Sequence, residues 1–130
     1  MAPTTQEAVY AEMELFLGQV PTFIKAIPAS ALVGAWWEFR NIYLNPNTRL
    51  SSKSKNLIAV GVAAQAGNPV ALEFHQGIAL LAGATAQELG EAVAVASCVG
   101  HWSSYLNGSQ ANETVFRKEV EAIFRHLEHE

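Results

Sequence analysis

The sequence predicts an all-α fold of about six helices. Three observations carry this expectation. Apolar residues recur at helical spacing in every long segment, no stretch alternates with the period of two that marks a strand, and the segments are separated by recognisable caps and breakers. At 130 residues the chain fits one domain, residues 1–130. Hydrophobic residues make up 50% of it, enough for a real core, and no low-complexity run argues for disorder beyond the termini.

The first helix is expected from a capping box at Thr4-x-x-Glu7, in which hydroxyl and carboxylate each satisfy one orphan N–H. Val9, Met13, Phe16 and Leu17 follow at helical spacing, and Gly18 is the expected C-cap. After a short turn from Pro21 to Ile27, Pro28 stands near the start of a second helix, with Leu32, Trp36, Phe39 and Tyr43 on one face. Asn45-Pro46-Asn47 stops it, because proline disfavours helical geometry in the residue before it. Ser51 or Ser52 caps the next helix, which is apolar nearly all round through Leu57, Ile58, Val60, Val62 and Ala63 and reads as a central buried element. Gly67 breaks it. Asn68 as N-cap and Pro69 as first helical residue open a fourth helix ending near Gly83. Thr85-x-x-Glu88 is a second capping box for a helix from about Ala86 to Leu106, closed by Asn107-Gly108, and the last helix covers roughly Glu113 to His126.

Charge and composition exclude several classes. The net charge is −4, from 8 basic and 12 acidic side chains, with no basic patch, so nucleic acid is a poor partner. The N-terminus has neither a charged n-region nor an apolar h-region, so no signal peptide and no membrane partner is expected. A lone cysteine, Cys98, cannot form an internal disulfide and suits a reducing cytoplasm. Association between copies is expected: the Ala-rich segments Ile58 to Ala66 and Ala92 to Ala96 offer little polar outer surface. The adjacent Trp36 and Trp37 cannot both face one small core, so one of them meets a partner subunit, lines a pocket or stays partly exposed.

His75 is the first candidate for chemistry. It stands on the apolar stripe of the fourth helix with Asn68, Ala71, Ile78 and Ala79, where burial lowers a histidine pKa and a carboxylate raises it. The competing reading is a core histidine satisfied by one carbonyl. Glu73 lies two residues earlier on a different face, so it is either solvated or meets another helix or subunit. A second group, Cys98, His101 and Tyr105, shares one face at i, i+3 and i+7 beside Trp102. Joined to His75, that face could do acid–base work or hold a metal, although no HExxH-type spacing is present. Cys98 ends an apolar run and reads as a buried, inert thiol; His101 has a packing role beside Trp102 as its alternative. His126 and His129 lie in the terminal segment and read as solvated.

The ordered set Gly18-Gln19-Val20-Pro21-Thr22-Phe23-Ile24-Lys25, Lys53-Ser54-Lys55-Asn56-Leu57-Ile58, His75, Gly83-Ala84-Thr85 with Glu88 and Glu91-Ala92, and His101 to Gly108 resembles the alkylhydroperoxidase D-like branch of the carboxymuconolactone decarboxylase family. The resemblance implies a helical hairpin at the centre of the fold and assembly into homotrimers or hexamers. Redox members carry Cys-x-x-Cys-x-x-x-His at a helix start and a glutamate twelve residues before the first cysteine. Here His75 matches the histidine, the cysteine positions fall on Asn68 and Ala71, and the glutamate position falls on Asn56. The resemblance therefore implies a family member without dithiol peroxidase chemistry. Decarboxylase members use histidine on the equivalent helix and act on a small carboxylated lactone.

The expected activity is acid–base catalysis on a small organic substrate without a cofactor. His75 is the general acid/base, His101 a second proton or positioning group, and Glu73 a further partner. Asn68, Ala71, Phe74, Cys98, Trp102 and Trp37 are the expected substrate-binding residues. The alternatives are a catalytically silent ligand-binding or structural relative and a metal site built from Glu73, His75 and His101.

Overall fold

Two clusters of buried side chains organise the chain, one in each of two compact units, residues 1–56 and 57–130. The structure is a computed structural model and describes residues 2–129. Its elements are α1 (Gln6–Leu17), a 3-10 turn (Thr22–Ala26), α2 (Ala29–Glu38), a π-helical turn (Phe39–Tyr43), α3 (Ser52–Ala66), α4 (Pro69–Leu81), α5 (Ala86–Ser109) and α6 (Glu113–Glu128). Among the described residues there is no strand, as the sequence predicts.

In the first unit, Val9 and Met13 of α1 meet Leu32 and Trp36 of α2, and all four are buried. The α1 cap lies one residue beyond the expected position. Thr5, not Thr4, is the N-cap and accepts from the Ala8 N–H, which leaves no acidic residue to close a box. Gly18 does end α1, at φ +80°, a conformation that costs glycine no Cβ clash. Trp36 reaches across to donate its ring N–H to Glu12 Oε1 at 3.0 Å, and Arg40 forms an ion pair with the same carboxylate. Phe39 stacks between Trp36, 5.7 Å away, and Tyr43, 4.3 Å away. The widened last turn, closed by the Leu44 N–H on the Phe39 carbonyl, carries Tyr43 to Asn56 at the unit's end.

The second unit is built where the C-terminal part of α3 crosses α5. Gly61 makes the crossing possible: a Cβ there would lie 3.2 Å from the Ala96 methyl and 3.4 Å from the Ala92 carbonyl. Val60, Ala79, Ala84 and Leu89 form the buried cluster beside it. The box at Thr85 is complete, with Glu88 N–H on Thr85 Oγ1 and Thr85 N–H on Glu88 Oε1, both at 3.0 Å.

Two expectations are corrected here. α3 is not buried all round: Val60 and Ala63 are, but Ile58 and Val62 are 56% and 64% exposed, because this chain covers only one side of the helix. α5 does not end at Asn107-Gly108. It continues to Ser109 and ends on Gln110 at φ +53°. Beyond Val93, the rest of α5 and all of α6 hold no buried side chain among the described residues. No described helix is long and apolar enough to cross a membrane.

Candidate functional site

The start of α4 shows what the sequence does at Asn68 and Ala71, the two positions on which the resemblance places cysteines. Asn68 adopts an extended conformation and its side chain accepts the Ala71 N–H at 3.0 Å, capping the helix that Pro69 opens. The two positions are thus brought together by a capping hydrogen bond. One turn later His75 is half-buried, with the Phe74 ring edge-on at 5.1 Å and 76°. Burial pushes the His75 pKa below its ordinary 6.5, so the imidazole is neutral at pH 7. A neutral imidazole with an accepting nitrogen is the form that a general base needs. Glu73 is exposed, on a different face of α4, as its spacing predicts.

Asn56, on which the resemblance places a glutamate, is wholly buried in the first unit. Its Oδ1 accepts the Tyr43 O–H, and its Nδ2 donates to the Ser52 carbonyl at 2.8 Å. Burial pushes the Tyr43 phenol up to about 12, so it stays protonated as a donor at neutral pH. The amide therefore meets one donor, the Tyr43 hydroxyl, and two acceptors on Ser52, the carbonyl and, at 3.5 Å, Oγ, and the arrangement holds no proton for exchange near neutrality. Sequence reasoning missed Tyr43 and Ser52 as partners. The available signal was an asparagine at the start of the apolar run of α3, four residues after a serine.

On α5, the rings of His101 and Tyr105 are 4.9 Å apart and those of Trp102 and Tyr105 5.8 Å apart. His101 thus packs on Tyr105 one turn later. Cys98, His101, Trp102 and Tyr105 are all exposed. For Cys98 this corrects the expectation of a buried thiol: the apolar run it ends belongs to the uncovered half of α5. The Ser103 hydroxyl turns back to the Val99 carbonyl at 2.8 Å, so its proton is engaged within the helix. Trp37 belongs to the first unit, where its ring N–H donates to the Pro3 carbonyl and the residue is 38% exposed. Among the described residues, no three His, Cys, Asp or Glu side chains are grouped to hold a metal ion, so Glu73, His75 and His101 do not form a ligand set within one chain.

The family model of the carboxymuconolactone decarboxylase family matches residues 31–113, a span that includes Asn56, Asn68, Ala71, His75 and His101. No curated protein and no solved structure matches the chain.

Proposed function

The chain belongs to the carboxymuconolactone decarboxylase family, and from that premise we propose that it is a small cytoplasmic, homo-oligomeric enzyme using histidine acid–base chemistry. One observation carries the reading: His75 is half-buried and held neutral by desolvation, while the positions of the redox thiols serve a helix cap. His75 is the general acid/base. His101 is the second proton or positioning group, with Glu73 as a further partner, and Phe74 and Trp102 supply apolar walls. The substrate is a small organic compound, carboxylated or lactone-like, and the assembly a trimer or hexamer.

The test is turnover of a panel of small carboxylated lactones and their open-chain acids. The reading expects a rate that rises as His75 loses its proton, with a midpoint below 6.5, and a plateau near neutrality. No turnover on any member, with the protein correctly assembled, would support a second reading. In that reading the chain is a silent relative whose pocket holds a small ligand, favoured by the fixed hydrogen bonds at Asn56 and Asn68. Thermal stabilisation by a ligand without turnover, unchanged in His75→Gln, is its signature.

The absence of a thiol pair has its own expected result. Peroxide reduction driven by a dithiol should stay at the buffer rate, in the wild type and in Cys98→Ser alike. Turnover lost in Cys98→Ser would instead place the chemistry on that exposed thiol.

A further inference from the structure

Asn107 is the one asparagine of seven that precedes a glycine. Such a pair can cyclise, because the glycine backbone nitrogen reaches the asparagine Cγ with no neighbouring side chain in the way. The other six are disfavoured for separate reasons. Asn45 and Asn68 precede Pro46 and Pro69, whose nitrogens carry no proton to give up. Asn56 is wholly buried, with its amide engaged by Tyr43 and Ser52. Asn112 caps α6 by accepting the Val115 N–H. Asn41 and Asn47 are exposed but precede the β-branched Ile42 and Thr48, which crowd the attacking nitrogen.

Asn107 has none of these protections. It is exposed, and its side-chain amide makes no hydrogen bond among the described residues. The space beside Gly108 is open: a Cβ built there would meet no atom within 4 Å. The remaining barrier is the helix itself, whose regular geometry holds the Gly108 nitrogen away from the Asn107 side chain.

That barrier is low at this end of α5. No described side chain of α5 beyond Val93 is buried, so no packed face holds the last turn closed. Gly108 is itself a poor helix former. The bonds that close the turn are long, with Gln110 N–H on the Asn107 carbonyl at 3.3 Å and Ala111 N–H on the Leu106 carbonyl at 3.5 Å. They require Gln110 at φ +53°, the one positive φ of a non-glycine residue among the described residues.

We propose that Asn107 is a site of spontaneous deamidation, gated by opening of the last turn of α5, and that its products loosen the junction between α5 and α6. The Gly108 amide gives up its proton and its nitrogen bonds to Asn107 Cγ. The Cγ–Nδ2 bond breaks, and Nδ2 leaves as ammonia with that proton. Water then opens the cyclic imide, giving aspartate when the new bond to Cγ is cut and isoaspartate when the backbone carbonyl is cut instead. Both products put a negative charge where the helix dipole is already negative. Isoaspartate also lengthens the main chain, so the bonds from Gln110 and Ala111 lose their register. This goes beyond the catalytic reading and does not rest on it, since neither Asn107 nor Gly108 belongs to the proposed chemistry.

The experiment incubates the full native chain for days at pH 8 and at pH 6 and locates converted asparagines by peptide mass spectrometry, with isoaspartate and aspartate peptides separated by chromatography. The mass gain of an amide-to-acid exchange is expected at Asn107, faster at pH 8 because the amide nitrogen must lose its proton. Gly108→Ala should abolish it over the same period. That variant should keep the fold, since the methyl enters open space and alanine favours the helix. Hydrogen exchange of the backbone amides 108–114 should be faster in the converted chain than in the fresh one. No conversion at Asn107 in the native chain while a urea-unfolded chain converts there would overturn the proposal. So would earlier conversion of another asparagine, undiminished conversion in Gly108→Ala, or amide exchange unchanged by conversion.

Discussion

His75→Gln is expected to lower turnover about 10²–10⁴-fold, the usual contribution of a positioned acid or base, with little change in assembly. Glutamine keeps a hydrogen-bonding side chain of similar reach but cannot take up or release a proton near neutrality. The loss should therefore fall mainly on kcat, as befits a group acting in the transition state rather than in binding. The same substitution has a stability signature of definite sign. The folded-state pKa of His75 lies below 6.5, because desolvation disfavours the imidazolium. Above 6.5 the group is neutral in both states and contributes nothing. As the pH falls from 6.5 toward the lower folded value, the unfolded chain takes up the proton first, and stability is lost. Wild-type melting temperature should drop more than that of His75→Gln across this window. Equal turnover in wild type and variant would remove His75 from the mechanism.

Asn56→Asp should give the largest loss of stability among near-isosteric changes in the chain. The side chain is fully buried, accepts from Tyr43 and donates to the Ser52 carbonyl. An aspartate keeps the first bond, but its second oxygen faces the Ser52 carbonyl with no proton between them. Leaving a buried charge uncompensated in this way costs about 3–5 kcal/mol, a large part of a typical domain stability of about 5–15 kcal/mol. The carboxyl responds by raising its folded pKa above the unfolded value of about 3.9. Its penalty therefore grows as pH rises above the unfolded value and is relieved in acid. Urea midpoints at pH 4.5 and pH 7 check this: Asn56→Asp should approach the wild type at the lower pH and fall well below it at the higher. A variant as stable as wild type at pH 7 would mean that the site tolerates an acid, and the argument for a purely structural Asn56 would fail.

What was legible in the sequence was local. Asn68 with Pro69, and Thr85 with Glu88, fix helix starts through bonds spanning three residues, and both form as read. The first cap moved from Thr4 to Thr5 because adjacent threonines offer the same hydroxyl and only backbone geometry chooses between them. Asn107-Gly108 looked like a stop, yet the left-handed residue is Gln110, since glycine permits a turn without requiring one. What was not legible depends on which faces other elements cover. The apolar run of α3 reads the same whether Ile58 and Val62 are buried or, as here, exposed. Cys98 ends an apolar run for the same reason and lies open. For the candidate site, His75 could be found from its place on an apolar face, and its half-burial agrees with that. The Tyr43–Asn56–Ser52 arrangement could not, because it joins three residues across two helical segments and a connecting loop.

The claim at the centre of this account is that α4 presents a neutral, partly desolvated imidazole without a thiol pair beside it. An NMR pH titration of the His75 ring nitrogens in the assembled protein tests it without a substrate. The account predicts a midpoint below 6.5 and a neutral ring at pH 7. A midpoint at or above 6.5 would contradict it, because the ring would then be solvated or paired with an acid and not poised as a half-buried base.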